Sequence, residues 1–295
     1  MALHTFGYPK STADFDPEAT YVRSQFLSPR MLAYARALMA LYCWMTLIVG
    51  YSWMAYEQAR NNLRDVNIPP YTQILDRGAI AKSFSFFTFI VFWSQAFYFT
   101  VSSWHTFTYA KKKKNASAPS SKSHLHDDFP RFLQFAHSLW HSTIITYPFL
   151  VSIVYWSTMY AGPWSSAMVF TRWMNVSIHG LNSLFALLEI LCSAVAPPPV
   201  VPHLLVILLG LSLYLGLAYV THADQGFYVY EWMNPAWGWR SVTGHVFAYA
   251  AGMIGIYCAV WVAIWIRERT LGSRGRKREV VQKVTPSVQR GTATP

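Results

Sequence analysis

Charge is scarce in this sequence: Asp, Glu, Lys and Arg together make up 13% of the 295 residues, against 53% hydrophobic ones. A soluble domain carries roughly a quarter charged residues, so a fully water-facing surface is excluded. Cysteine is equally sparse. Cys43, Cys192 and Cys258 all fall within apolar stretches, which excludes a disulfide framework and leaves the redox compartment open. There is no G-x-S-x-G elbow, H-E-x-x-H pair, P-loop or dinucleotide fingerprint, so the common soluble catalytic scaffolds have no foothold. The first 30 residues, with Asp14, Asp16, Pro17 and Glu18, lack the basic start and short apolar core of a secretory signal, so the first apolar helix has to serve as its own insertion signal.

What is abundant is apolar sequence in lengths of about 20 residues, the span of a bilayer core. Such segments occur at roughly 34–56, 83–104, 139–160, 174–195, 203–222 and 245–266. The expected fold is therefore all-α, a polytopic membrane bundle of about six helices. The 13 Trp and 18 Tyr suit interfacial belts. Pro148 should kink the third helix, and Pro197–Pro199 should stop the fourth and force an extended turn into the fifth. No internal repeat is evident.

Six spans put both termini on one side. The segments on that side carry 18 of the Lys and Arg residues and the opposite segments 6, which predicts cytosolic termini. The resulting division is a polar cytosolic segment over 1–33, a membrane domain over 34–267 with a basic cytosolic loop at 105–138, and a basic disordered tail over 268–295. The net charge of +11 is thus a topology signal, and nucleic acid is not an expected partner. Anionic lipid is, because KKKKNASAPSSKS and the tail have the composition of solvated segments able to lie on a charged leaflet.

The polar residues inside the spans carry the chemistry. Over Trp173–Leu191, a helix at roughly 100° per residue gathers Asn175, His179, Asn182 and Ser183 on one face. Unsatisfied polar groups in hydrocarbon are costly, so this face should point into the bundle or a wet cavity. Glu189 lies ten residues on, about 15 Å deeper, and is expected to be a buried, paired or protonated carboxyl with a packing role. On the second helix Thr88 heads a row continued by Gln95 and Ser102. Helices two and four run the same way, and Thr88 and His179 each lie about 8 Å below the same surface, within reach of one another. A lone Thr in a span is usually structural, whereas a lone His is more often functional.

Other histidines have milder readings. His137 and His141, with His124, His126, Asp127 and Asp128 upstream, resemble a metal pair, but an interfacial helix start also draws His for snorkelling and capping, which is the expected role. His222 and His245 are expected near the lumenal vestibule of His179. Neither a metal nor another cofactor is expected. Axial pairs at two depths, as a dihaem cytochrome needs, are missing.

These residues carry a family resemblance. FFTFIVFWSQ at 86–95, the stretch Trp173–Leu191, and GFYVYEW at 226–232 together resemble the androgen-induced and androgen-dependent tissue-factor-pathway-inhibitor-regulating protein family. The resemblance spans about Lys82–Arg267. Its members are multi-pass intramembrane threonine hydrolases that cleave fatty acid esters of hydroxy fatty acids. By that resemblance Thr88 is the nucleophile, with Gln95 seven positions on, and His179 is the base, six positions after Trp173 and ten before Glu189. Two departures stand out: the family's further His three residues before the base is Val176 here, and its Pro after the aromatic segment is Glu231.

The implied activity is lipid ester hydrolysis. His179 would accept the Thr88 proton, and Gln95, Asn175, Asn182, Ser183 and His222 would line the pocket; the oxyanion donors are not assigned, with Asn175, Ser177 and Asn182 as candidates. The expected substrate is a lipid ester that arrives by lateral diffusion, and the expected location is the endoplasmic reticulum membrane, with the plasma membrane second. The competing readings are a transporter or scaffold, in which the polar stripes pack helices or pass a ligand, and then a haem or metal redox protein.

Overall fold

The computed structural model describes residues 15–16, 18–62, 78–115, 129–160 and 169–272. Among these the elements are helical and no strand occurs. The long helices are α1 (Pro29–Asn62), α3 (Phe87–Asn115), α8 (Val200–Gln225) and α9 (Trp239–Arg267). Between them lie a short α2 (Ala79–Ser83), α4 (Arg131–Ile144), α5 (Tyr147–Val154), α6 (Val169–Val176) and α7 (Asn182–Cys192). The sequence 1–14, the stretch at 116–128 holding His124, His126, Asp127 and Asp128, and the tail beyond 272 lie outside the described residues.

Four helices among the described residues are long and apolar enough to cross a membrane: Pro29–Arg60, Val169–Cys192, Val200–Gln225 and Trp239–Leu271. They mark the chain as a membrane protein. The stretch expected to be a third, kinked helix is two helices. Helix α4 ends at Ile144, and α5 restarts with Pro148 in its first turn, where the missing amide costs nothing because that amide has no intrahelical acceptor. Helix α3, at 29 residues about 44 Å long, continues through Lys111–Lys114 to Asn115. Helix α4 already begins at Arg131, so both helices reach into the region expected to be a basic loop. Residues 193–199 are non-helical as far as Pro199, which precedes α8.

Helices α1 and α3 pack along their length with α6 and α7 against them, around Leu47, Phe92, Phe99, Met174 and Ile178. The approach is tight at Gly50, where a Cβ would stand 2.8 Å from the Met174 methyl. Helices α8 and α9 cover the other flank through Ile207, Met253 and Tyr257 and leave Leu205, Leu209, Leu213, Phe247 and Ile254 exposed, as lipid-facing surfaces require.

One end of the bundle is tied by polar contacts. Tyr21 donates to Ser138 Oγ at 2.7 Å, the Ala194 amide to the Arg23 carbonyl at 2.9 Å, and Arg267 to the carbonyls of Ile190 and Val195. The start of α1, the beginning of α4 and the ends of α7 and α9 therefore share that end. Deeper in, Arg36 of α1 meets Glu189 of α7, both fully buried.

Candidate functional site

The face of α6 and α7 that gathers the polar residues is interrupted where it matters. Residues Ser177–Leu181 form a π-helical turn carrying His179. Wider turns of this kind free backbone groups and recur at functional sites. The Ser183 amide bonds Asn182 Oδ1 at 2.7 Å. Two donors from the neighbouring helix serve the His179 carbonyl: Ser152 Oγ at 2.6 Å and Trp156 Nε1 at 3.0 Å.

The stripe thus divides. Ser183 donates to the Pro148 carbonyl at 2.9 Å and touches Ser152 Oγ, so it joins α7 to α5. Asn182 is fully buried; its carbonyl accepts from Gln95 Nε2 at 2.9 Å, which locks α3 beside α7. Gln95 Oε1 and Asn182 Nδ2 remain without a partner. Ser177, also fully buried, bonds the Trp173 carbonyl and Tyr42. Asn175 is half-buried one turn before His179.

His179 is 8% exposed, and its Nδ1 has no hydrogen-bond partner. Its imidazole lies face to face with Tyr155, ring centroids 3.5 Å apart and planes 7° from parallel. Tyr155 opens a second π-helical turn, Tyr155–Met159, so two widened turns face one another.

Thr88 lies in the first turn of α3, half-buried. Tyr214 fastens that helix start by accepting from the Phe87 amide at 3.0 Å and donating to the Ser85 carbonyl at 2.9 Å. Thr88 lines a cavity of about 240 Å³ between α3, α5, α8, α9 and the segment after α8. The walls are largely apolar, with Leu150, Val154, Leu211 and Met233 among them and polar atoms from Tyr155, Tyr214 and Tyr249.

His179, Gln95, Asn175, Asn182, Ser183 and His222 are outside this lining. From the Gln95–Asn182 contact, Thr88 is seven residues back along α3 and His179 three residues back along its own helix, toward the same end. At 1.5 Å per residue the two are offset by about 6 Å along the axes. No hydrogen bond joins them among the described residues. Tyr155 is the side chain common to both surroundings. His222 stacks on Tyr228 at 3.7 Å, whereas His245 stacks on Trp232, which does line the cavity.

Comparison of the chain with protein-family models, curated proteins and solved structures finds no match in any of the three. The site must be read from its own geometry.

Two expectations need correcting. His137 and His141 do not snorkel to an interface: they are 8% and 2% exposed, and both pack against Tyr21 and Tyr98. Tyr21 of the N-terminal segment and Tyr98 of α3 cover them. Asn182 and Ser177, two of the candidate oxyanion donors, lie outside the cavity lining, with the Ser177 hydroxyl bonded to the Trp173 carbonyl and Tyr42 and Asn182 Nδ2 without a partner. Among the described residues no group of three or more His, Cys, Asp or Glu gathers as a metal site.

Sequence reasoning overlooked Ser152, Tyr155 and Trp156. Their spacing of i, i+3 and i+4 on an apolar helix was the available signal. It also counted Arg36 only as a topology charge, although an Arg inside the first apolar span, with Glu189 elsewhere in the membrane, pointed to a pair.

Proposed function

We propose that the chain is an intramembrane lipid ester hydrolase, with Thr88 as nucleophile and His179 as base, in a bundle of six spans whose termini are both cytosolic. The observation that carries this reading is the apolar cavity against Thr88, one ring away from the buried His179. A threonine hydroxyl is a weak nucleophile until a base takes its proton, and a buried neutral imidazole is suited to that task. The resemblance to the androgen-induced and androgen-dependent regulating-protein family supports the same two residues and the same substrate class, fatty acid esters of hydroxy fatty acids. The six-span topology draws its support from the basic residues, which concentrate on the segments flanking the shared end of the bundle.

The reaction proceeds by acyl transfer. Thr88 Oγ attacks the ester carbonyl as His179 accepts its proton. The tetrahedral intermediate collapses, and the departing alkoxide takes that proton from the imidazolium. Water then attacks the acyl-threonine, with His179 again as base, and releases the fatty acid. The first amides of α3 lie outside its intrahelical ladder. Phe87 donates to Tyr214, which leaves the amides of Thr88 and Phe89 as the candidate donors to the developing oxyanion. The apolar wall receives an acyl chain that reaches the site from the bilayer without crossing water. The endoplasmic reticulum is the favoured membrane, with anionic lipid at the basic segments.

The deciding experiment is hydrolysis of such an ester by membranes holding wild type, Thr88→Ala or His179→Ala, each checked for expression and folding. Loss of activity in both variants is the expected result. Equal activity in all three proteins would sink the assignment. An alkyl fluorophosphonate that labels wild type but not Thr88→Ala identifies the nucleophile without depending on the choice of ester.

A further inference from the structure

His179 is held at two levels by one helix face. Ser152 and Trp156 bond its carbonyl, while Tyr155, between them in sequence, covers its ring. Aromatic pairs generally sit with centroids 4.5–7 Å apart and avoid full face-to-face overlap, so 3.5 Å at 7° is a close stack that leaves one face of the imidazole unavailable. The same tyrosine forms part of the wall of the Thr88 cavity, which His179 does not reach. Whatever fills that cavity beside Thr88 presses on the ring covering the base. Tyr155 also starts a π-helical turn, a backbone form less tightly committed than an α-helix, and its neighbours Trp156 and Tyr160 stand 5.0 and 6.2 Å away by centroid.

We infer that Tyr155 is a positioning residue for His179 and a shutter between it and the Thr88 cavity, closed in this structure and shifted along the imidazole face, still stacked on it, when an acyl chain occupies the cavity. The inference rests on the hydrolase reading, and names the side chain that sets when nucleophile and base engage. The stack fixes the plane of the imidazole; removal of the ring leaves the base uncovered but free to rotate.

The test uses the full chain in detergent micelles, with wild type, Tyr155→Phe and Tyr155→Ala treated with diethyl pyrocarbonate. Modification of the peptide holding His179 is followed by mass spectrometry. Tyr155→Phe, which retains the ring, should match wild type. Tyr155→Ala should be modified about tenfold faster and should hydrolyse ester with kcat about tenfold lower at little-changed KM, as expected for a misoriented base. Should Tyr155→Ala not fold, Tyr155→Leu, which fills space without an aromatic face, carries the same comparison. Equal modification rates in folded proteins would overturn the shutter, and an unchanged kcat would overturn the positioning role. Failure of the hydrolase reading shows separately, as hydrolysis unaffected by Thr88→Ala, while the modification rates still report on the stack.

Discussion

Arg36 and Glu189, 153 residues apart in sequence, form a two-pronged ion pair with neither side chain exposed: Nε donates to Oε2 at 3.0 Å and Nη2 to Oε1. The remaining Arg36 nitrogen donates to the Tyr21 carbonyl at 2.8 Å and Thr106 Oγ1 at 2.7 Å. One guanidinium therefore joins α1, α3, α7 and the N-terminal segment. Breaking a buried pair by removing one partner typically costs about 3–5 kcal/mol, because an uncompensated charge remains. Arg36→Met should lower stability by that order in a denaturation series, and the Arg36→Met/Glu189→Leu double variant should recover part of the loss. A double variant as unstable as the sum of its singles would show that the pairing is not what matters.

Ser152→Ala removes one of two donors to the His179 carbonyl and the link to Ser183. A loss of about 1 kcal/mol is expected, and combining it with Trp156→Phe should cost more than either change alone, since both side-chain donors to that carbonyl are then gone. Thermal unfolding of the four proteins checks this.

At Gly210 an added Cβ would collide with the hydroxyl of Tyr147, which itself donates to the Ile207 carbonyl at 2.8 Å. Gly210→Ala should therefore destabilise by about 1–3 kcal/mol through displacement of that ring. The same change at Gly216, where nothing lies within 4 Å, should be nearly silent. Equal effects at the two positions would remove the steric explanation.

Tyr214→Phe withdraws the acceptor of the Phe87 amide and the donor to Ser85. The start of α3, with Thr88 in its first turn, should loosen. Faster hydrogen exchange confined to residues at the beginning of α3 is the expected readout, with roughly 1 kcal/mol of overall stability lost.

The topology has its own check. Asn115 begins an N-A-S sequon and Asn175 an N-V-S sequon. With cytosolic termini, Asn115 faces the cytosol and Asn175 is within the membrane, so chain made in microsomes should show no mobility change on treatment with an N-glycosidase. Glycan at Asn115 would reverse the orientation.

Much of this was legible along the chain, because apolar length and helical period are local properties. They mark α1, α8 and α9 and the α6–α7 span to within about six residues at each end, and place Asn182 and Ser183 on a face that does turn inward. The π turn at Ser177–Leu181 was not legible, since the donors that bond the His179 carbonyl, Ser152 and Trp156, come from another helix. Nor was the burial of His137 and His141. A histidine at the head of a helix reads as interfacial until the N-terminal segment is known to fold over it with Tyr21.

The sequence by itself determined that the chain is a helical membrane protein with a few polar residues too costly to leave in lipid. Hydropathy and periodicity act residue by residue and need no partner. Only the tertiary structure decided who meets whom: Arg36 with Glu189, Gln95 with Asn182, and Tyr155 over His179 while Thr88 lies against the cavity beyond it. Those choices depend on how each helix is rotated about its axis and which helix stands beside it. A π turn changes that rotation without leaving a trace in the apolar pattern.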